Sequence, residues 1–306
     1  MLKLVNTIEE ANFATHSGSM HADEVFATAF LELYFEDIKL LRTTNINPSE
    51  HENILVYDIG RGRFDHHMVD AKTRDNGIKY CSFGLLWQEF GRDFLTKRNI
   101  DNVEEVFNYF DKDFVEQIDA IDNGVFPNIQ SNYKVKTMFD VIKLFNPSIG
   151  SDQDENTQFI KVEAIAREIL EQEILNCIGK VQTKHKIDKY LENNNNRYLI
   201  LDEYLPYEEF VLNSSLGEKI LFVIYPSTRG GYCIKTVPVS VKDRSNRMSF
   251  PKEWGGLDDE ELEKVSGIKD ITFCHANLFL VSTKTKEAAL EVVNKLIDME
   301  ELWKKN

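Results

Sequence analysis

Histidine and aspartate gather at two places in this chain, in a pattern that suits divalent-cation chemistry. One is Asp65-His66-His67, which follows an apolar run ending in an acid, Ile54-Leu55-Val56-Tyr57-Asp58. The other lies upstream, in Thr15-His16-Ser17-Gly18-Ser19-Met20-His21-Ala22-Asp23-Glu24. Both fall at the ends of what read as buried strands, where an open α/β sheet presents its reactive groups. Imidazole and carboxylate are the side chains that hold divalent metals.

Two-metal phosphoester hydrolysis needs oxygen ligands, imidazoles and a shared carboxylate, with the metals ~3.5–4 Å apart. The candidate ligands are His16, His21, Asp23, Asp58, His66 and an acid from Asp119-Ala120-Ile121-Asp122-Asn123-Gly124. Within that last segment Asp122 is preferred to Asp119, because it abuts Asn123-Gly124, where a helix should end. Mixed His/Asp coordination without cysteine suits Mn²⁺ or Mg²⁺, and the imidazoles favour Mn²⁺. Asp65 is placed to orient a ligating imidazole through a hydrogen bond. Asp58 alone could simply cap a turn, and His66-His67 alone is a weak signal; the combined pattern carries the reading. His51, His185 and His275 stand apart and are given no metal role.

These residues need elements to position them. Phe13 to Thr15 reads as a first strand, with further strands at 39–44 and 53–59; the last is nearly all apolar, as in a parallel strand covered on both faces. Residues 21–36 read as a helix, with Val25, Phe26, Ala29, Phe30 and Leu33 at helical spacing. Further helices are expected at 80–98, 102–121 and 136–145. The stretch 102–121 stops at Asn123-Gly124. A long helix, about 156–192, serves as a connector, and Asn193-Asn194-Asn195-Asn196 marks the boundary between a domain of residues 1–193 and one of 194–306. The second part alternates differently, with strands at 197–202, 219–225, 232–237, 270–275 and 277–282 and helices at 258–265 and 284–302. It reads as a smaller α+β domain of about 110 residues.

The bulk properties narrow the class. A chain of 306 residues with 42% hydrophobic residues builds real cores. The four scattered cysteines form no C-x-x-C pair, which points to a reduced, cytoplasmic protein without a zinc-thiolate site. Acids appear by residue 9, against a secretory signal. No apolar window approaches the length of a membrane span. The net charge of −15 argues against broad electrostatic binding to nucleic acid. Yet residues 226–252 carry six basic side chains (Arg229, Lys235, Lys242, Arg244, Arg247, Lys252) against one acid, Asp243. That strip reads either as a solvated loop face or as a local cradle for an anionic substrate. The oligomeric state stays open, since Ile220-Leu221-Phe222-Val223-Ile224 suits a core or a homo-oligomer interface.

With these motifs in order, the chain resembles the MYG-type (UPF0160) family of the DHH phosphoesterase superfamily, alongside RecJ-like exonucleases and family II inorganic pyrophosphatases. The resemblance continues through Arg247-Met248-Ser249-Phe250-Pro251, Glu253-Trp254-Gly255-Gly256-Leu257 and Phe273-Cys274-His275-Ala276. It implies a doubly wound, mainly parallel-sheet DHH domain followed by the smaller substrate domain. It implies a binuclear, Mn²⁺-preferring hydrolase, a 3′–5′ RNA exonuclease in eukaryotic members. His16, His21 and Asp58 would ligate one metal, and Asp23, His66 and Asp122 the other, with Asp58 bridging. His67 would touch the scissile phosphate. Arg247, with Gly230-Gly231 allowing close backbone approach, would bind substrate from the second domain. The chain departs from the superfamily at His21, where an Asp is usual, and in carrying no glycines after Ala276.

Catalysis is therefore expected at Asp58, His66 and His67, on RNA or short oligoribonucleotides. Two other readings remain: hydrolysis of pyrophosphate or another small phosphate ester, and a metal-binding scaffold without turnover.

Overall fold

The apolar segments near residues 13, 39 and 55 pair in parallel in the computed structural model, which describes residues 2–305. Strands β1 (Leu2–Val5), β2 (Phe13–His16), β3 (Ile38–Thr43) and β4 (Leu55–Val56) form one sheet in the order β1-β3-β2-β4. β1 was not anticipated; its Leu2 and Leu4 alternate with Lys3, the pattern of an edge strand buried on one side. β4 is shorter than expected, because Asp58 turns into the left-handed region at φ +56 and the chain leaves the ladder. β2 and β4 are neighbours, with Ala14 opposite Val56. Their C-terminal ends thus bring His16 and Asp58 side by side.

Helix α1 (Ala22–Tyr34) connects β2 to β3. Its run from Ala22 to Leu31 is buried throughout, including the charged Asp23 and Glu24. It packs on α2 (Ser82–Lys97) around Phe26, Phe30, Phe83 and Trp87, each fully buried and worth about 1.5–3 kcal/mol in hydrophobic transfer. The single helix expected at 102–121 is three pieces: α3 (Val103–Phe110), a π-helical stretch Asp111–Val115, and α4 (Glu116–Asp122). One wide turn, a device common at functional sites, re-phases α4, which carries Asp119 and Asp122, relative to α3. The stop at Asn123-Gly124 is where the sequence put it, with Gly124 at φ +77. α5 (Met138–Lys143) follows, and then α6 (Glu155–Glu192).

The chain divides into two compact units, Met1–Val181 and Gln182–Asn306. The division falls within α6, upstream of the asparagine run. α6 gives Phe159, Val162, Ala166 and Leu170 to the first core and Ile187 and Leu191 to a core of the second.

The second unit contains β5 (Tyr198–Ile200), α7 (Glu208–Asn213), β6 (Phe222–Pro226), β7 (Tyr232–Thr236), α8 (Asp259–Ser266), β8 (Ile271–Cys274), β9 (Leu280–Thr283) and α9 (Lys286–Lys305). Its sheet runs β5-β6-β7-β9-β8 and is antiparallel except for β5 on β6. Ile220 to Ile224, open as core or interface from sequence, is core. The strand expected at 277–282 starts later, because Asn277-Leu278 forms the hairpin turn, with Leu278 at φ +59. The four cysteines are free. Among the described residues no helix is long and apolar enough to cross a membrane.

Candidate metal centre

Five segments of the first unit deliver side chains to one place beyond the C-terminal edge of the parallel sheet. The end of β2 carries His16, the first turn of α1 carries Asp23 and Glu24, the turn after β4 carries Asp58, and the following loop carries His66 and His67. The end of α4 adds Asp122. Asp58 lies at the middle: its Oδ2 is 3.3 Å from His16 Nε2 and its Oδ1 is 3.3 Å from His66 Nε2. His66 Nε2 is also 3.3 Å from Asp122 Oδ2 and 3.5 Å from Asp23 Oδ2. On the other side, His16 Nε2 is 3.6 Å from Glu24 Oε1. Three sets of donor atoms converge closely enough to hold a metal: His16, His21 and Glu24; Asp58, His66 and His67; Asp23, His66 and Asp122.

The scaffold fixes these positions. The Thr28 hydroxyl donates to the Glu24 carbonyl at 2.7 Å and lies 2.5 Å from the Tyr57 hydroxyl. The buried Tyr57 thereby ties the first turn of α1 to the strand end that carries Asp58. The loop after His16 is held from the far side, where Asn146 accepts from the Met20 N–H at 2.6 Å and donates to its carbonyl at 3.0 Å. Asp23 accepts from the N–H groups of Ser82 and Phe83, at 3.0 and 2.7 Å, at the positive end of α2. Asp65 accepts from the backbone of Arg61 and His67 and lies 2.7 Å from His67 Nδ1. It therefore orients His67, whose side chain is 59% exposed.

Asp119 and Asp122, three residues apart, have separate tasks. Asp119 accepts from the Cys81 N–H at 2.9 Å and from Arg74 Nε at 2.7 Å. Arg74 also forks onto Asp111. Asp119 thus anchors the 74–81 loop to α4, and it packs so close to α2 that a Cβ at Gly84 would come within 2.2 Å of its Oδ1. Asp122 is the one that meets His66.

The electrostatics record a crowd of acids. Burial, then repulsion from Asp58 and Asp122, pushes the Asp23 carboxyl well above the usual range. Burial raises Glu24 and Asp122 in the same direction. Burial works against the protonated ring of His16, but Asp58 and Glu24 outweigh it and hold its pKa up to about 11. His66, likewise opposed by burial, is held up to about 9 by Asp58, Asp23 and Asp122. Burial opposes the ionised form of Asp58, yet His16 and His66 keep it below the ordinary carboxylate range. Asp58 Oδ1 is buried with no hydrogen bond of good geometry, although His66 Nε2 lies 3.3 Å away, a position that a cation would satisfy. The positive φ of Asp58 is backbone strain of the kind concentrated at functional sites. This donor set fits divalent cations.

Of the residues singled out from sequence, His16, His21, Asp23, Asp58, His66, His67 and Asp122 come together. Glu24 was missed as a donor, although it adjoins Asp23; two neighbours on one helix turn can face one site when the helix starts there, and Glu24 Oε1 also accepts from the His21 N–H at 2.8 Å. Arg247, Gly230 and Gly231 lie in the second unit. Arg247 Nη1 donates to the carbonyls of Gly217, Glu218 and Ile220 at 2.6, 3.1 and 2.9 Å, a local clasp. Gly231, at φ +70, passes so near the Thr283 carbonyl that a Cβ would sit 2.1 Å from it. In the basic strip, Lys235 and Arg244 both pair with Glu208.

No solved structure gives a significant match to this chain. It is 28% identical over 323 residues to the MYG1 protein of Dictyostelium discoideum, covering 95% of this chain and 98% of that one. It is 27% identical over 326 residues to the MYG1 protein YER156C of Saccharomyces cerevisiae, covering 94% and 96%. It is 27% identical over 317 residues to the MYG1 exonuclease of Homo sapiens, covering 91% and 83%. A family model described as uncharacterised protein family UPF0160 matches residues 12–297. Since that match spans both units and every donor described above, the chain belongs to the MYG1 (UPF0160) family.

Proposed function

We propose that this chain is a metal-dependent phosphodiesterase, a 3′–5′ exonuclease acting on short RNA with two Mn²⁺ ions, built as a member of the DHH phosphoesterase superfamily. The observation that carries the reading is the position of Asp58, one oxygen toward His16 and the other toward His66. A carboxylate so placed is suited to bridge two cations. Four carboxylates (Asp23, Glu24, Asp58, Asp122) with neutral imidazoles match the charge of two divalent ions. Relatives named MYG1 exonuclease from human and rat support the nuclease assignment.

His16, Glu24 and Asp58, joined by His21, would hold one ion; Asp23, His66, Asp122 and Asp58 would hold the other. Mg²⁺ can enter the same donors, but the imidazoles favour Mn²⁺. Bound there, the ions supply an activated water and stabilise charge on the phosphoryl oxygens. His67 is fixed by Asp65 and exposed on its other edge, so that edge would face a phosphoryl oxygen of the substrate. The acidic surface, −15 overall, repels long polyanions and favours short ones.

The test is a panel of substrates with Mn²⁺: a short oligoribonucleotide, the same oligomer blocked at its 3′ end, a long structured RNA and pyrophosphate. Faster loss of the unblocked short RNA is expected. Turnover of pyrophosphate alone would replace the nuclease reading with another phosphoester chemistry. Mn²⁺ binding without turnover of anything would leave a scaffold.

A further inference from the structure

Immediately after Asp122 the chain leaves α4 and runs to Thr137 without helix or strand. This stretch carries large apolar side chains into solvent: Phe126 is 71% exposed and Tyr133 78%. Together with α5 it encloses a cavity of about 470 Å³, lined by His21, Asp122, Phe126, Lys134, Phe139 and Lys143 among others. Its volume lies in the range of about 300–1,000 Å³ typical of small-molecule sites. Two members of the lining, His21 and Asp122, belong to the metal centre, so the cavity opens beside it.

The segment that builds this wall is locally basic on an acidic protein, although the lining itself sets Lys134 and Lys143 against Asp122 and Asp140. Residues 124–143 contain Lys134, Lys136 and Lys143 against one acid, Asp140. Asp140 is occupied at the start of α5, where it accepts from the Thr137 N–H at 2.7 Å and hydroxyl at 2.8 Å. Lys134 and Lys143 lie within electrostatic reach of Asp140, but neither makes a close ion pair among the described residues. A larger cavity of about 690 Å³ elsewhere in this unit is lined by Glu36, Asp37, Glu52 and Glu89 and would repel a phosphate. Unpaired ammonium groups beside aromatic surface are the combination that holds a single-stranded nucleotide: cations track the phosphate and an aromatic ring stacks the base.

We infer that this cavity is a nucleotide subsite, in which Lys134 and Lys143 take the phosphate next to the scissile bond and Phe126 stacks its base. The inference deepens the phosphodiesterase reading and rests on it. It assigns recognition to the unit that carries the metal ligands, on residues that the motifs did not single out. Because a ring stacks any base, the subsite selects for a nucleotide without selecting sequence.

The test is calorimetric titration of AMP and of ribose 5-phosphate into the full chain, with and without Mn²⁺. Wild type, Phe126→Ala and the double variant Lys134→Ala/Lys143→Ala are compared, with melting midpoints as a folding check. Wild type should bind AMP about tenfold more tightly than ribose 5-phosphate, the scale of one stacking contact. Phe126→Ala should erase that difference. The lysine variant should weaken both ligands about tenfold and flatten their salt dependence. Unchanged AMP affinity in folded variants, or no AMP binding by wild type, overturns the subsite; the latter outcome leaves the exposed segment to a protein partner. Mn²⁺-dependent RNA hydrolysis with AMP binding unaffected by the variants overturns the subsite alone. AMP binding lost as described, in a protein that hydrolyses nothing, overturns the phosphodiesterase reading and keeps the subsite.

Discussion

Asp58→Asn separates the charge of the central carboxylate from its shape. The side chain keeps its size, and asparagine tolerates the left-handed backbone at φ +56, so the turn after β4 should persist. What is lost is one negative charge shared between the two halves of the donor cluster. At an effective dielectric near 20, a unit charge ~4 Å from another is worth about 4 kcal/mol, close to three decades in affinity per ion. In the metal-free protein Asp58 is flanked by His16 and His66 at 3.3 Å, and this attraction outweighs its repulsion of Asp23 and Glu24, since Asp58 is held below the ordinary carboxylate range. Losing its charge should therefore also lower the apo melting temperature at neutral pH. Titrating Mn²⁺ calorimetrically, and measuring melting with and without Mn²⁺, reads both quantities. Saturating metal at a hundred times the dissociation constant stabilises wild type by about 2.7 kcal/mol per site, and most of that increment should vanish in the variant. Two Mn²⁺ ions bound with wild-type affinity by Asp58→Asn would refute the bridging geometry.

Four further expectations follow from the same geometry. His16 and His66 are held up to about 11 and about 9 by neighbouring carboxylates, so Mn²⁺ must displace protons at neutral pH; calorimetry in buffers of different ionisation enthalpy should show proton release and tighter binding as pH rises, and no release would contradict it. These raised pKa values stabilise the apo fold fully below the unfolded value near 6.5 and lose that contribution as pH climbs through about 9 and 11, so apo melting should fall in that window while the metal-loaded protein resists. Asp122→Asn should cut Mn²⁺ affinity with little loss of stability, whereas Asp119→Asn should leave metal binding and cost toward the lower end of about 3–5 kcal/mol in denaturant unfolding, because Asp111 still holds Arg74; the reverse outcome would exchange their roles. Arg247→Ala should destabilise the second unit by about 1.5–3 kcal/mol through three abandoned carbonyls, measured by urea unfolding with RNA affinity followed in parallel.

The donor residues were legible because their chemistry is local. His and Asp at the ends of apolar runs announce themselves, and short parallel strands place their C-terminal ends together whatever the loops do. So His16, Asp58 and His66 could be named without coordinates, and the stop at Asn123-Gly124 already favoured Asp122. Glu24 was not legible, since a helix start decides which of its first residues turn inward. The π-helical turn was hidden as well: the apolar spacing of 102–121 fits one continuous helix, and the extra residue per turn is set by packing of Phe110 and Phe114 against Phe26, Phe83 and Trp87.

The basic strip at 226–252 shows the converse. Composition reports where cations occur along the chain, but not what each one faces. Tertiary structure turns Lys235 and Arg244 onto Glu208 and Arg247 onto backbone carbonyls, while leaving Lys134 and Lys143 unpaired beside the metal centre. Side-chain type and short-range spacing fixed which atoms could bind a cation. Which charges remain free for a substrate depended on long-range contacts, because a charge is available only after the fold has decided its neighbours.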